Sequence, residues 1–146
     1  MVDFREVQLL VKRHPGVPMP EYATEGSVGF DLASNEDIEI PPKAWRIIGT
    51  GLFFEIPESY EVQIRSRSGF ASRGIIVMNQ PGTVDTDYRG EIRVILHNHN
   101  TKPWNVRKGN RIAQAVVVPI LRAIMVNVET LTPTKRGEKG LGSSGE

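Results

Sequence analysis

The sequence predicts an all-β fold, a jelly-roll-like β-sandwich with at most one short helix and a flexible C-terminal arm. Short runs rich in Val, Ile and Phe recur along the chain, several with the two-residue alternation of a half-buried strand. Glycine and proline punctuate them, 14 and 10 in 146 residues, so few segments are able to extend into a long helix. Many short strands, turns between them and almost no helical period define that class.

The first strand is expected in Glu6–Lys12 (EVQLLVK). HPGVPMPEY follows, with three prolines in nine residues, and can continue neither a helix nor a central strand. GSVGFDLAS returns to extended chain, followed by the alternating run Asp37–Ile40 and a Pro41–Pro42 turn. Ala44–Ile56 gathers Trp45, Ile47, Ile48, Leu52, Phe53, Phe54 and Ile56 around Gly49 and Gly51, and reads as two strands or as one strand with a bulge. Tyr60, Val62 and Ile64 alternate with Glu61, Gln63 and Arg65 and deliver the chain to Ser66, Arg67 and Ser68. SGFASR is the one helix-like stretch, with Ser68 as its N-cap candidate.

Ile75–Asn79 and Glu91–Leu96 read as the strands of a hairpin whose tight turn is GTVDTDYRG, Gly82–Gly90. WNVRKGNRIAQAVVVPIL holds a Lys-Gly-Asn turn before a mostly apolar strand, in which the Gln114 amide needs a partner. IMVNVE supplies the last strand. Leu131–Glu146 has four glycines and no apolar period, and taken alone it reads as a disordered tail. The expected division is a nucleotide-binding sandwich over 1–131 and an arm over 132–146.

With 39% apolar and 24% charged residues, the chain suits one domain with a core. Eighteen Lys and Arg against 17 Asp and Glu leave a formal charge of +1, so no nucleic-acid or membrane partner is expected and any anion site is local. The lack of cysteine excludes disulfides, a cysteine nucleophile and the Cys-containing zinc sites of metal-dependent deaminases. Charges in MVDFREV, where a signal peptide needs an apolar core, and the lack of a membrane-length apolar run point to a soluble, cytoplasmic protein.

Asp85 and Asp87 are two apart, which in extended chain puts both on one face, able to hold a cation or share general-base work. A solvated turn has the same spacing. Arg67 beside a helix N-terminus offers a forked cation and backbone N–H groups to phosphate; a capped surface turn with no ligand is the other reading of the same residues. His97 and His99 face one way in a strand, but the third histidine is His14 and no acidic residue adjoins them, so the spacing does not favour a metal there. The glycine-rich end can wrap a phosphate chain with Arg136 as a clamp, although it lacks the Gly-Lys-Ser/Thr of a P-loop.

GTVDTDYRG resembles the third motif of the homotrimeric dUTPases (deoxyuridine 5'-triphosphate nucleotidohydrolases). Four more motifs stand in the family's order: GSVGFDL (Gly26–Leu32), RSGFA (Arg67–Ala71), GNRIAQAVV (Gly109–Val117) and RGEKGLGSSG (Arg136–Gly145). The resemblance implies hydrolysis of dUTP to dUMP and pyrophosphate, which keeps uracil out of DNA and supplies dUMP for dTMP synthesis. It also implies Mg²⁺ held mainly by the triphosphate, and a homotrimer whose active sites each combine motifs of all three subunits.

In the same way, Asp85 matches the catalytic aspartate, which orients and deprotonates the water attacking the α-phosphorus and holds the 3'-hydroxyl, whereas the family requires no acid at Asp87. Tyr88 matches the ring that packs on the deoxyribose and rejects a 2'-hydroxyl. Asn79 and the hairpin backbone read the uracil edge, with Val84 in the same substrate-binding set. Arg67, Ser68, Gly69 and Gln114 match phosphate contacts, Ser68 donating to an oxygen of the leaving pyrophosphate, and Asp31 matches a residue that supports the metal's water shell. Arg136 and Ser143, with Gly142 beside them, are implied to close on the β- and γ-phosphates.

One position departs from the family. Where its arm carries an aromatic residue between two glycines, this chain has Leu141, which covers a base but cannot stack on it. The related deoxycytidine triphosphate deaminases need a glutamate on the strand after the hairpin, and the corresponding residue here is Ile95, which cannot carry a proton. A β-sandwich module that binds nucleotide to regulate a partner is the other alternative. Pyrophosphate release from dUTP, compared with dCTP, dTTP and UTP, separates the three.

Overall fold

The computed structural model describes residues 4–142, 144 and 145. Ten strands and one helical turn follow in the order β1 (Leu10–Arg13), β2 (Phe30–Ala33), β3 (Ile38–Ile40), β4 (Trp45–Glu55), β5 (Tyr60–Arg65), α1 (Ser68–Ala71), β6 (Ile75–Val77), β7 (Gly82–Val84), β8 (Glu91–Asn98), β9 (Trp104–Val106) and β10 (Arg111–Pro119). They form two four-stranded antiparallel sheets, β1-β4-β8-β6 and β2-β10-β5-β7, with β3 and β9 paired separately. No helix among the described residues is long and apolar enough to cross a membrane.

Alternation decides which side chains meet between the sheets. On β8, Ile92, Val94, Leu96 and Asn98 are buried, and Val62 and Ile64 of β5 and Ile48, Leu52 and Phe54 of β4 join them. Burying each such side chain stabilises the fold by roughly 1.5–3 kcal/mol, so this layer supplies most of the driving force. Asn98 is the polar exception, fully buried but satisfied: its Nδ2 donates to the carbonyls of Ile40 (3.0 Å) and Lys102 (2.9 Å), and its Oδ1 accepts from the Asn100 N–H (2.9 Å). It ties β8 to β3 and to the turn before β9.

Ala44–Ile56 is one strand with a bulge. The β4–β8 register passes from Gly49↔Arg93 to Phe53↔Glu91, so extra β4 residues loop out between those pairs. Gly51 turns at φ +70°, a conformation that favours glycine. The Glu91 carboxylate fills the gap, accepting the Gly51 N–H at 3.0 Å, while Thr50 Oγ1 donates to the Ile92 carbonyl at 2.5 Å.

Four expectations are corrected. The first strand begins at Leu10 and not Glu6, because Leu10 pairs with Glu55, the last residue of β4, and among the described residues no strand pairs with those before it. Ser68 is the first residue of α1 and not its cap; Arg67 occupies the cap position and no side chain caps the turn. Gly82–Gly90 is no tight hairpin turn: β6 and β8 do pair, but Gly82–Val84 is a strand of the opposite sheet, hydrogen-bonded to β5. IMVNVE pairs with no strand among the described residues, and Leu121, Ile124, Met125, Val126 and Leu131 are exposed.

Asn98→Ala is expected to strip three hydrogen-bonding groups of their partner at a fully buried position, at a cost of about 2–4 kcal/mol. A denaturant titration at one fixed protein concentration checks this. An unchanged midpoint contradicts the structural role given to Asn98.

Candidate active site

The centre of β10 organises the phosphate-type residues. Gln114 stands opposite Asp31 of β2 on one side and Arg65 of β5 on the other, so register places three polar side chains in one row. Gln114 Nε2 donates to the Ser66 carbonyl at 2.9 Å, the partner its place in an apolar strand requires. Its Oε1 lies over Gly29, where a Cβ would stand only 2.8 Å away, so Gly29 is needed for close approach.

Arg67 leaves the end of β5 and turns back onto this row. Its Nε contacts Asp31 Oδ1 at 2.9 Å, its NH1 donates to the Arg111 carbonyl at 3.1 Å, and Arg111 reaches Asp31 Oδ2 at 3.6 Å. Arg65 bonds Gln63 Oε1 through Nε at 3.2 Å and NH2 at 2.8 Å. Two guanidinium groups therefore share one carboxylate, with Arg65 a third cation in the same row, and the balance favours an anion. Partly exposed ion pairs of this kind are worth about 0–1 kcal/mol, little enough for a phosphate oxygen to compete with the carboxylate. A cavity of about 500 Å³ lined by Gln63, Arg65, Ser66, Ser68, Gln80 and Gln114 opens beside them. Gly69, the second residue of α1, has open space where a side chain would be, and the N–H groups of this first turn lack intrahelical partners.

A second, smaller cavity of about 230 Å³ is lined by Asn79, Val84, Asp85, Tyr88 and Ile95, with Ile64 at its base. The chain turns sharply after β7, the Tyr88 N–H donating to the Asp85 carbonyl at 3.2 Å. Asp85 and Asp87 therefore do not share a face as an extended segment would have it, and only Asp85 lines the cavity. Its carboxylate is exposed and makes neither an ion pair nor a side-chain hydrogen bond among the described residues.

No residue lines both cavities. Gln63 and Arg65 point to the outer face of β5 and Ile64 points inward, which sets the two cavities on opposite sides of the strand. Arg136, Leu141 and Gly142 reach neither: Arg136 Nε donates to the nearby Lys139 carbonyl at 2.9 Å, and Leu141 is fully exposed. Ser143 lies outside the described residues.

Sequence reasoning missed Arg65 and Arg111. Alternation along β5 marks Arg65 as outward, and Arg111 stands within GNRIAQAVV, but only the register joins them to Asp31. The rings of His97 and His99 do approach, with centroids 4.3 Å apart, yet no group of three His, Cys, Asp or Glu side chains among the described residues gathers to hold a metal. Asp31, flanked by two guanidinium groups, fits a supporting contact to a metal's water better than direct ligation.

The sequence model of the dUTPase family matches residues 16–145. Two similar curated relatives are both named deoxyuridine 5'-triphosphate nucleotidohydrolase. That of Nautilia profundicola is 52% identical over 129 residues, covering 88% of this chain and 91% of the relative. That of Wolinella succinogenes is 48% identical over 148 residues, covering 100% and 99%. Among solved structures, a Staphylococcus bacteriophage 80alpha dUTPase with dUPNHPP is similar at a TM-score of 0.88 and 28% identity, over 95% of this chain and 99% of that one. The chain belongs to the dUTPase family and is an enzyme of that class, a deoxyuridine 5'-triphosphate nucleotidohydrolase.

Proposed function

We propose that the cavity of Asn79, Val84, Asp85 and Tyr88 holds the nucleoside of dUTP and that the Arg67–Ser68–Gln114 row of another copy of the chain holds its phosphates. The observation that carries this reading is the opposite placement of the two cavities across β5. A nucleotide seated in one extends away from the other, so a second copy must complete the site. The exposed apolar residues Trp45, Ile47 and Met78, and the unpaired segment from Leu121 to Leu131, are the surface such an assembly would cover. A homotrimer with three shared sites, working in the cytoplasm, accounts for both features.

The reaction follows from the groups available. Asp85 accepts a proton from a water as its oxygen attacks the α-phosphorus, the bond from that phosphorus to the bridging oxygen breaks, and dUMP and pyrophosphate leave. The same carboxylate holds the 3'-hydroxyl. Tyr88 lies against the deoxyribose and leaves no room to solvate a 2'-hydroxyl, while Asn79 and the backbone near Val84 read the uracil edge. Arg67, Gln114, Ser68 and the N–H groups at Gly69 hold the phosphates in line, with Ser68 on the leaving side. Mg²⁺ bound with the triphosphate would supply charge neutralisation at its oxygens, and Asp31 is the residue that would support its water shell.

Residues 132–146 form an arm, separate from the sandwich of 1–131, that closes on the bound triphosphate through Arg136, Gly142 and Ser143. Leu141 covers the base there with apolar contact alone. Ile95 at the wall of the nucleoside cavity stands where the deaminases need a glutamate and cannot itself carry a proton.

Asp85→Asn is expected to lower pyrophosphate release from dUTP by roughly 10²–10⁴-fold with nucleotide binding retained, while Asp87→Asn changes little. Equal losses in the two variants remove Asp85 from the role of base. Removal of residues 135–146 is expected to leave the melting temperature nearly unchanged and to reduce turnover strongly; a fully active truncated protein contradicts the arm's role.

A further inference from the structure

Tyr88 is held from two sides by Gly90 and Glu91, which follow it closely in the chain. Its ring lies directly on Gly90: a Cβ at residue 90 would stand 2.6 Å from Tyr88 Cζ and 2.7 Å from Cε1. The Gly90 backbone lies outside the left-handed region, so its conformation does not demand glycine; the ring does. At the far end of the ring, Tyr88 Oη donates to the Glu91 carbonyl at 2.9 Å. That carbonyl is itself fixed. Glu91 pairs with Phe53 across the bulge, and its carboxylate accepts the Gly51 N–H at 3.0 Å. The carboxylate also fills the space over Gly49, where a Cβ would meet Oε2 at 2.5 Å.

We propose that Gly90 and Glu91 are positioning residues that set the Tyr88 ring as one wall of the nucleoside cavity, Gly90 by the space its missing side chain leaves and Glu91 by the carbonyl that accepts the phenol O–H. This rests on the reading of that cavity as the deoxyribose site. Carbon atoms in contact sit about 3.5–4.0 Å apart, so a methyl group at residue 90 displaces the ring by roughly 1 Å. A misplacement of that size next to a reacting substrate is costly. The bulge in β4 thereby acquires a purpose beyond folding, since Gly49 makes room for the Glu91 carboxylate that anchors the start of β8 and Gly51 donates its N–H to it.

The test combines tyrosine-ring NMR of the ligand-free protein with dUTP kinetics for Gly90→Ala, Tyr88→Ala and the double variant. The chain has three tyrosines, so the Tyr88 signals are identified by their loss in Tyr88→Ala. Gly90→Ala is expected to shift the Tyr88 signals, leave those of Tyr22 and Tyr60 in place and raise KM for dUTP roughly tenfold, with a smaller change in kcat. In the Tyr88→Ala background the same substitution is expected to add nothing. Glu91→Ala loosens the ring, and Glu91→Gln, whose amide oxygen still accepts from Gly51, retains the wild-type signals; this pair carries the test if Gly90→Ala does not fold. Unshifted Tyr88 signals in Gly90→Ala, equal KM increases with and without the ring, or identical ring signals in Glu91→Ala and the wild type overturn the proposal. Shifted ring signals with unchanged KM and unchanged preference for dUTP over UTP uphold the positioning and refute the deoxyribose reading.

Discussion

The two-residue period of a β-strand is the constraint on which this molecule depends. Consecutive side chains of β5 must point to opposite faces, so Val62 and Ile64 enter the core while Gln63 and Arg65 face outward beside Gln114. The polar row and the cavity of Asn79, Val84, Asp85 and Tyr88 thereby lie on opposite sides of β5. Neither can be moved toward the other without reversing the strand, which would expose Val62 and Ile64 and bury Arg65. On the proposed reading each chain offers two incomplete sites, which assembly completes.

Rigidity around each half comes from a different source. The polar row is fixed by register: Gln114 is central in its sheet, bonded to the Ser66 carbonyl and packed over Gly29. The Asp31 ion pairs orient Arg67 and Arg111 but add little stability, being partly exposed. The nucleoside cavity lies on a segment that crosses from β6 in one sheet to β7 in the other and back to β8. It is held by backbone pairing at both ends and by the Tyr88 and Glu91 contacts between them.

Much of this was legible in the sequence, for identifiable reasons. β5 and β8 show their alternation openly, and the bulge in β4 was readable from Gly49 and Gly51 among large apolar residues. Pairing partners were not legible, because they depend on distant chain. Gly82–Val84 looks like part of a turn until β5 supplies its ladder, and IMVNVE has strand composition but pairs with no strand among the described residues. Asp85 and Tyr88 were found through the motif they resemble and do share a cavity. Arg65 and Arg111 carry no local signal, since only the β2-β10-β5 register brings them to Asp31.

The central claim is that one active site draws its base and its phosphate-binding groups from different copies of the chain. Mixing two inactive variants tests it most directly: Asp85→Asn and Arg67→Ala proteins are unfolded together, refolded in equal amounts and assayed for pyrophosphate release from dUTP. If the site is shared within a trimer, random assembly pairs an intact Asp85 with an intact Arg67 in about a quarter of the sites, and about a quarter of wild-type activity returns. If each chain carried a complete site, no combination would restore one, and a mixture as inactive as its components would contradict the account.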